Sequence, residues 1–223
     1  MKKVVLITGT TRGLGKHISE HFLRFGWTVI GLARSDATIK HSEYNHIKVD
    51  IKNRQALKAV FAGIEKIDLL INNSSIFTMS SFETTDEQLI EDIIDINLKG
   101  TIFVTKYALE KMHSGSRMFF INSVAGLEEL ENQSIYCASK HAVTAFAGVL
   151  GNELRSKKIK VTSIHPGGIN TTLWNSENPY PCGDVNEAID PSEIALLISF
   201  IYNSLGNTEY KTVKLFPTSE WHQ

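Results

Sequence analysis

Tyr136 and Lys140 are separated by Cys137-Ala138-Ser139, inside an alanine-rich stretch that reads as one helix from Ser134 to Arg155. Positions four apart share a helix face, so this spacing sets an ammonium beside a phenol. A phenol ordinarily ionises near pH 10, and a neighbouring cation favours the phenolate, bringing proton exchange toward neutral pH. Thirteen residues upstream of Tyr136, Ser123 follows the apolar run Met118-Phe119-Phe120-Ile121-Asn122, which reads as a strand. Open α/β sheets put their ligand crevice beyond the carboxyl ends of the strands, so a hydroxyl there can hydrogen-bond a substrate oxygen. Alone, the Tyr–Lys pair equally fits an amphipathic helix with an interfacial tyrosine. The serine gives the pair a direction.

The amino terminus supplies a second candidate site. Val4-Val5-Leu6-Ile7 is too short for a helix and rich in β-branched residues, as a buried parallel strand should be. It runs into Thr8-Gly9-Thr10-Thr11-Arg12-Gly13-Leu14-Gly15, after which Leu14, Ile18, Phe22 and Phe25 recur at helical spacing. Glycines permit a sharp turn and a close approach to the main chain. The helix start then offers free N–H groups and a positive dipole end to a phosphate. The general dinucleotide pattern G-x-G-x-x-G is not matched; the loop reads T-G-x-x-x-G-x-G. Alone, it also reads as a tight turn beneath a helix.

Stepping along the chain, strands alternate with helices. Trp27–Ala33, His46–Ile51, Ile67–Ile71, Met118–Asn122, Ile159–Ile164 and Thr212–Phe216 read as further strands. Helices follow around Leu57, Val60, Phe61 and Ile64, after the N-cap Asp86, over 100–112, over 134–155 and from Asp190-Pro191-Ser192-Glu193 onward. This alternation implies right-handed crossovers and an α/β, Rossmann-type doubly wound parallel sheet in a single domain over 1–223.

Composition narrows the function. The net charge of −1 gives no field for nucleic acid or an anionic membrane. The basic run Arg155–Lys160 reads as a solvated helix end. Two cysteines and eight scattered histidines predict neither a disulfide framework nor a metal site. No stretch reaches transmembrane length, and the amino terminus lacks a signal-peptide pattern, so a cytoplasmic location is expected.

Taken together, these motifs resemble the short-chain dehydrogenase/reductase family over nearly the whole chain. Besides the glycine loop, Ser123 and the Tyr136–Lys140 pair, the resemblance covers Asp95-Ile96-Asn97-Leu98-Lys99-Gly100 and Pro166-Gly167-Gly168-Ile169-Asn170-Thr171. It implies hydride transfer with a nicotinamide cofactor. Tyr136 would exchange a proton with a carbonyl or alcohol, Lys140 would lower its pKa and hold the nicotinamide ribose, and Ser123 would orient the substrate oxygen. Asn97 would help hold a proton-relay water. Cofactor contacts are expected from Gly9, Thr11, Arg12, Gly13, Leu14 and Gly15, and from Arg34, Asp50, Ile51 and Asn72. Pro166, Gly167, Ile169 and Thr171 complete the expected set, Asp50 on the adenine amino group, Ile169 on the carboxamide and Thr171 on the pyrophosphate. Two departures stand out. Asn72-Asn73-Ser74-Ser75 replaces the family's N-N-A-G, which predicts a strained Ser75 if that position has positive φ. Leu215-Phe216-Pro217-Thr218 replaces the frequent aspartate-glycine-glycine ending.

Cofactor choice is read from charge. The second strand ends at Arg34, nineteen residues after Gly15, where NAD-binding folds place an acidic residue for the ribose 2′-hydroxyl. A guanidinium there suits a 2′-phosphate, and Arg12 can reach the same group, so NADP(H) is expected over NAD(H). Asp36 is the competing carboxylate. The segment Thr172–Ile189 should form a lid, with Trp174, Pro179, Tyr180 and Pro181 lining an apolar pocket or packing beneath it. Glu128, Glu129 and Glu131 lie near its rim. The expected partner is a small-molecule carbonyl or alcohol, and the alternative function is a catalytically silent dinucleotide sensor. Phe103, Val104, Ala108, Ala142, Val143, Ala147 and Val149 exceed what one sheet face needs, which predicts a homodimer or homotetramer.

Overall fold

The computed structural model describes residues 2–175 and 179–220; residues 176–178 of the expected lid lie outside them. Seven strands form one sheet: β1 (Val4–Thr8), β2 (Thr28–Ala33), β3 (Tyr44–Lys48), β4 (Ile67–Asn72), β5 (Met112–Ile121), β6 (Lys160–Pro166) and β7 (Thr212–Leu215). Between them run α1 (Gly13–Arg24), α2 (Arg54–Ala62), α3 (Glu87–Ile93), α4 (Thr101–Leu109), α5 (Ser134–Glu153) and α6 (Pro191–Tyr202). A π-helical stretch, Ile94–Gly100, joins α3 to α4.

All neighbours pair in parallel, in the order β3-β2-β1-β4-β5-β6-β7. The chain builds outward from β1 to β3, then returns to the other side of β1 at β4. That reversal opens a crevice at the carboxyl ends of β1 and β4. Alternation along each strand divides the core into two layers. Leu6, Leu32, Leu70 and Phe120 face α2, α4 and α5, with Leu57, Phe61, Val104 and Val143 against them. Val5, Ile7, Leu69, Ile71 and Phe119 face α1 and α6, meeting Ile18, Phe22, Ile194 and Ile198. Helices on both faces are why these strands read as unbroken apolar runs.

Helix starts follow the expected chemistry. Asp86 Oδ1 accepts from Leu89 N at 3.2 Å and Asp190 Oδ1 from Ser192 N at 2.7 Å. Element bounds differ most at three strands and one helix. β3 spans Tyr44–Lys48 rather than His46–Ile51, because the chain turns at Asp50 and caps α2 with Asn53, whose Oδ1 accepts from Ala56 N at 3.0 Å. Helix α4 stops at Leu109 rather than 112, since Lys111 already pairs with the sheet through Ile67 N, 2.9 Å from its carbonyl. β5 therefore begins at Met112, earlier than Met118, with a register shift opposite Ile67 and Leu69. β6 runs on to Pro166, pairing with Leu215 of β7. Among the described residues no helix is long and apolar enough to cross a membrane.

Candidate active site

A cleft of about 940 Å³ lies over the carboxyl ends of the strands, running from Arg34 at one end to Tyr136 and Trp174 at the other. The glycine loop forms its floor. Gly9 has φ +76° and Gly13 φ +52°, a region that side chains other than glycine rarely adopt. Gly15 is constrained differently, since a Cβ there would collide with the Gly9 carbonyl and the Asn73 amide. At the start of α1, Arg12 has extended backbone and makes no side-chain cap, and the first turn holds no acidic residue. Its N–H groups are thus left for an anion, the arrangement a dinucleotide phosphate requires. Thr171 stands across from Gly13, where a Cβ on the glycine would lie 3.7 Å from the threonine Cβ.

The other expected binding residues divide clearly. Thr11, Leu14, Asp50 and Ile51 line the cleft, as do Pro166, Gly167 and Ile169. Asp50 Oδ1 accepts from Lys52 N at 2.9 Å, and the Ile169 carbonyl accepts the Trp174 indole N–H at 2.9 Å. Asn72 does not line it. It ends β4 facing the α4 layer, buried, with Nδ2 donating to Thr105 Oγ1 at 3.0 Å. Strand alternation turns the next residue to the cleft instead. Asn73 Nδ2 donates to the Thr8 carbonyl at 2.8 Å, while Asn73 N and Ser74 N both donate to Thr8 Oγ1 at 2.9 Å. Asn73 therefore braces the glycine loop.

At the far end, Ser123, Tyr136 and Lys140 come together. Asn122 ties α5 to β5, donating from Nδ2 to the Lys140 carbonyl at 3.2 Å and Thr144 Oγ1 at 2.8 Å. Lys140 Nζ sits 5.5 Å from the Tyr136 ring centre and donates to the Ile121 carbonyl at 3.3 Å. His165, fully buried in β6, donates from Nδ1 to the Ser123 carbonyl at 3.0 Å, fixing the serine backbone. Burial pushes the Tyr136 phenol up to about 12, opposed by the hydroxyls of Ser123 and Ser75. Burial also pulls the Lys140 ammonium down to about 8. Burial of the phenolate therefore dominates at Tyr136, and it acts in the direction opposite to that expected from a neighbouring cation.

Two further expectations change. The Asn97 side chain is buried away from the cleft, clamping the Ile76 peptide with Oδ1 accepting at 2.8 Å and Nδ2 donating at 2.9 Å. Nδ2 also donates to Ser139 Oγ at 3.1 Å. Ser75 carries no backbone strain, since Asn132 and Lys158 are the described non-glycine residues with positive φ. It instead contributes a second hydroxyl beside Tyr136.

An aromatic wall covers the chemical end. Phe77 meets the Tyr136 ring at 4.9 Å and Trp174 at 5.5 Å, and Trp174 meets Tyr180 at 5.2 Å. Tyr180 donates to Glu220 Oε1 at 2.6 Å, which also accepts from Gly168 N at 3.0 Å. Glu220 lines the cleft from a segment 52 residues beyond Gly168, with no local signal to find it. Glu128 and Glu131 line the rim, Glu128 paired with Lys214, while Glu129 points to solvent.

A family model described as short chain dehydrogenase matches residues 3–180. The chain belongs to the short-chain dehydrogenase/reductase family. An uncharacterized short-chain type dehydrogenase/reductase from Sinorhizobium fredii is 31% identical over 230 residues, covering 98% of this chain and 92% of that one. Two solved structures share the short-chain dehydrogenase fold. BdcA in complex with NADPH has a TM-score of 0.86 at 22% identity, covering 96% of this chain and 93% of its own. A short-chain dehydrogenase from Leptospira borgpetersenii with bound NAD+ has a TM-score of 0.83 at 22% identity, covering 96% and 91%. The protein is thus an NAD(P)-dependent oxidoreductase, and one fold accommodates either nicotinamide cofactor. The choice between them has to be read from this chain's residues.

Proposed function

We propose that residues 1–223 act as one catalytic domain that uses NADPH to reduce a small-molecule carbonyl to an alcohol, or runs the reverse reaction. The observation that carries this reading is the buried Tyr136 phenol at the chemical end of the cleft, beside the Ser123 hydroxyl and with Lys140 Nζ 5.5 Å from its ring. The bound cofactor supplies or accepts the hydride. Ser123 donates to the substrate oxygen and holds it against Tyr136. Tyr136, protonated at neutral pH, gives its proton to that oxygen as the alcohol forms. Lys140 holds the nicotinamide ribose in its charged form below about pH 8. Asn97 acts indirectly, through the Ile76 peptide that it clamps.

NADPH preference is supported by Arg34 and Arg12, both exposed and both lining the cleft. Asp36 is drawn off the competing role, for its Oδ1 accepts from Lys48 Nζ at 2.8 Å. The Lys48 ammonium holds that carboxyl below its usual range. Asp50 on the adenine, Ile169 near the carboxamide and Thr171 at the pyrophosphate complete the proposed contacts. Phe77, Trp174 and Tyr180 suit a substrate with an apolar body. We place the work in the cytoplasm, as a homodimer or homotetramer. The expected interface is smaller than the sequence suggested, because Val104, Ala108, Val143 and Ala147 are buried against this chain's own sheet. Val149, 57% exposed, remains available on α5.

An NADPH-oxidation screen over ketones, aldehydes, quinones and acyl-thioesters tests this function. Turnover of one class, with the alcohol identified as product, is the expected result. Tight NADPH binding with no turnover across all four classes would favour the sensor.

A further inference from the structure

We propose that Tyr44 and His46, two side chains of β3 behind the cleft, are positioning residues that set the preference for a 2′-phosphorylated cofactor. The inference rests on the reading of Arg34 given above. Thr10 Oγ1 and Tyr44 Oη lie 2.8 Å apart, Tyr44 Oη and His46 Nδ1 3.3 Å, and His46 Nε2 and the Ser35 carbonyl oxygen 3.0 Å. A carbonyl only accepts, so in the neutral ring Nε2 carries the proton, a tautomer assigned from its partners. Nδ1 is then a bare acceptor, and the Tyr44 hydroxyl donates to it. The phenol oxygen accepts in turn from the Thr10 hydroxyl. The four groups form one directed chain of hydrogen bonds.

Its two ends are the two places that must meet the adenosine ribose and its phosphate. Thr10 lies inside the glycine loop, fully buried between Gly9 and Thr11. Ser35 follows Arg34 in a turn whose residues 34–38 are all exposed. Gly31 shows that β2 is built around this connection. Glycine weakens a strand interior and marks a close approach, and a Cβ at Gly31 would sit 2.5 Å from Tyr44 Oη and 2.6 Å from Thr10 Oγ1.

The turn has two other ties. Asp36 is paired with exposed Lys48, and Thr38 Oγ1 donates to the Thr11 carbonyl at 2.9 Å. Among the described residues, only the His46 bond runs through Tyr44 to a buried group. A turn held before the ligand arrives loses less conformational freedom on binding. Tyr44 and His46 therefore act on Arg34 through the backbone of Ser35, without touching the cofactor.

The test is calorimetric titration with 2′,5′-ADP and with 5′-ADP, which needs no substrate. His46→Leu should weaken 2′,5′-ADP by roughly 5- to 10-fold and 5′-ADP by much less, the scale of one net hydrogen bond. His46→Gln, which can still donate to Ser35 and accept from Tyr44, should recover most of the loss. Tyr44→Phe keeps the ring and its packing but breaks the chain, and should fall between them. In turnover, KM for NADPH should rise in the Leu variant while kcat at saturating NADPH holds. An unchanged 2′,5′-ADP preference in His46→Leu and Tyr44→Phe, equal weakening of both nucleotides, or no rescue by Gln would overturn the proposal alone. Should His46→Leu not fold, Tyr44→Phe decides by itself. Equal binding of the two nucleotides by the wild type would instead overturn the reading of Arg34 and this inference with it.

Discussion

Arg12 and Arg34 stand exposed at one end of the cleft, while Tyr136 and Lys140 are buried at the other. At the first end, the proposed anion site combines uncapped backbone N–H groups with solvated guanidiniums. Water and salt screen such charges, so their effect is mainly on selectivity. At the second end the ionisable groups are removed from water, and burial decides which proton stays on which atom. Proximity alone would have given a phenolate beside an ammonium. Burial instead moves the phenol up and the ammonium down, each away from its charged form.

The sharpest way to break that contrast is to remove the buried amine. Lys140→Met should reduce turnover by 10²-fold or more, the range of a positioned catalytic group, yet make the fold more stable. The folded-state pKa of about 8 lies below the ordinary 10.5, so burying the ammonium destabilises the native state fully below pH 8. As pH rises from 8 to 10.5 the folded protein sheds this proton first and the penalty disappears. Chemical denaturation at pH 7 should show a gain on the order of 3 kcal/mol for the Met variant. The same comparison at pH 10.5 should show almost none. Loss of stability in Lys140→Met at pH 7 would mean that burial does not govern this end.

At the exposed end the expected effect is smaller and concerns preference. Arg34→Ala should lower the NADPH-over-NADH ratio of kcat/KM by roughly 10- to 100-fold, the scale of one charge-assisted contact, and the loss should shrink at high salt. An unaltered ratio would move the 2′-phosphate site elsewhere. The smallest effect is expected from Ser75→Gly, which restores the residue usual in the family. Removing a hydroxyl that favours the phenolate should slow alcohol oxidation by roughly 5-fold, with carbonyl reduction affected less. Equal slowing of both directions would assign Ser75 to packing rather than to the phenol.

What could be read from the sequence was local. The glycine loop, the Tyr136–Lys140 spacing and the caps at Asp86 and Asp190 are set by residues within a few positions of one another. Asn72 does not line the cleft, because apolar runs mark a strand without fixing which face its last residue takes; β4 turns Asn73 to it instead. Asn97 illustrates another limit. Its motif gives a place in the chain, but only packing shows that its amide clamps Ile76. Glu220 and His165 reach the site across 52 and 42 residues of sequence, so neither left a local trace. The burial that pushes Tyr136 up left no trace in the spacing, which reports neighbours and not desolvation.

In the proposed reaction Tyr136 is the proton donor, held neutral by its surroundings until it meets the substrate oxygen. The direct measurement is kcat for carbonyl reduction in Tyr136→Phe at saturating NADPH, alongside 2′,5′-ADP affinity in the same variant. The expected result is a loss of 10²-fold or more in kcat with nucleotide affinity unchanged, because the ring that packs on Phe77 remains. Near-normal kcat in the Phe variant would contradict it.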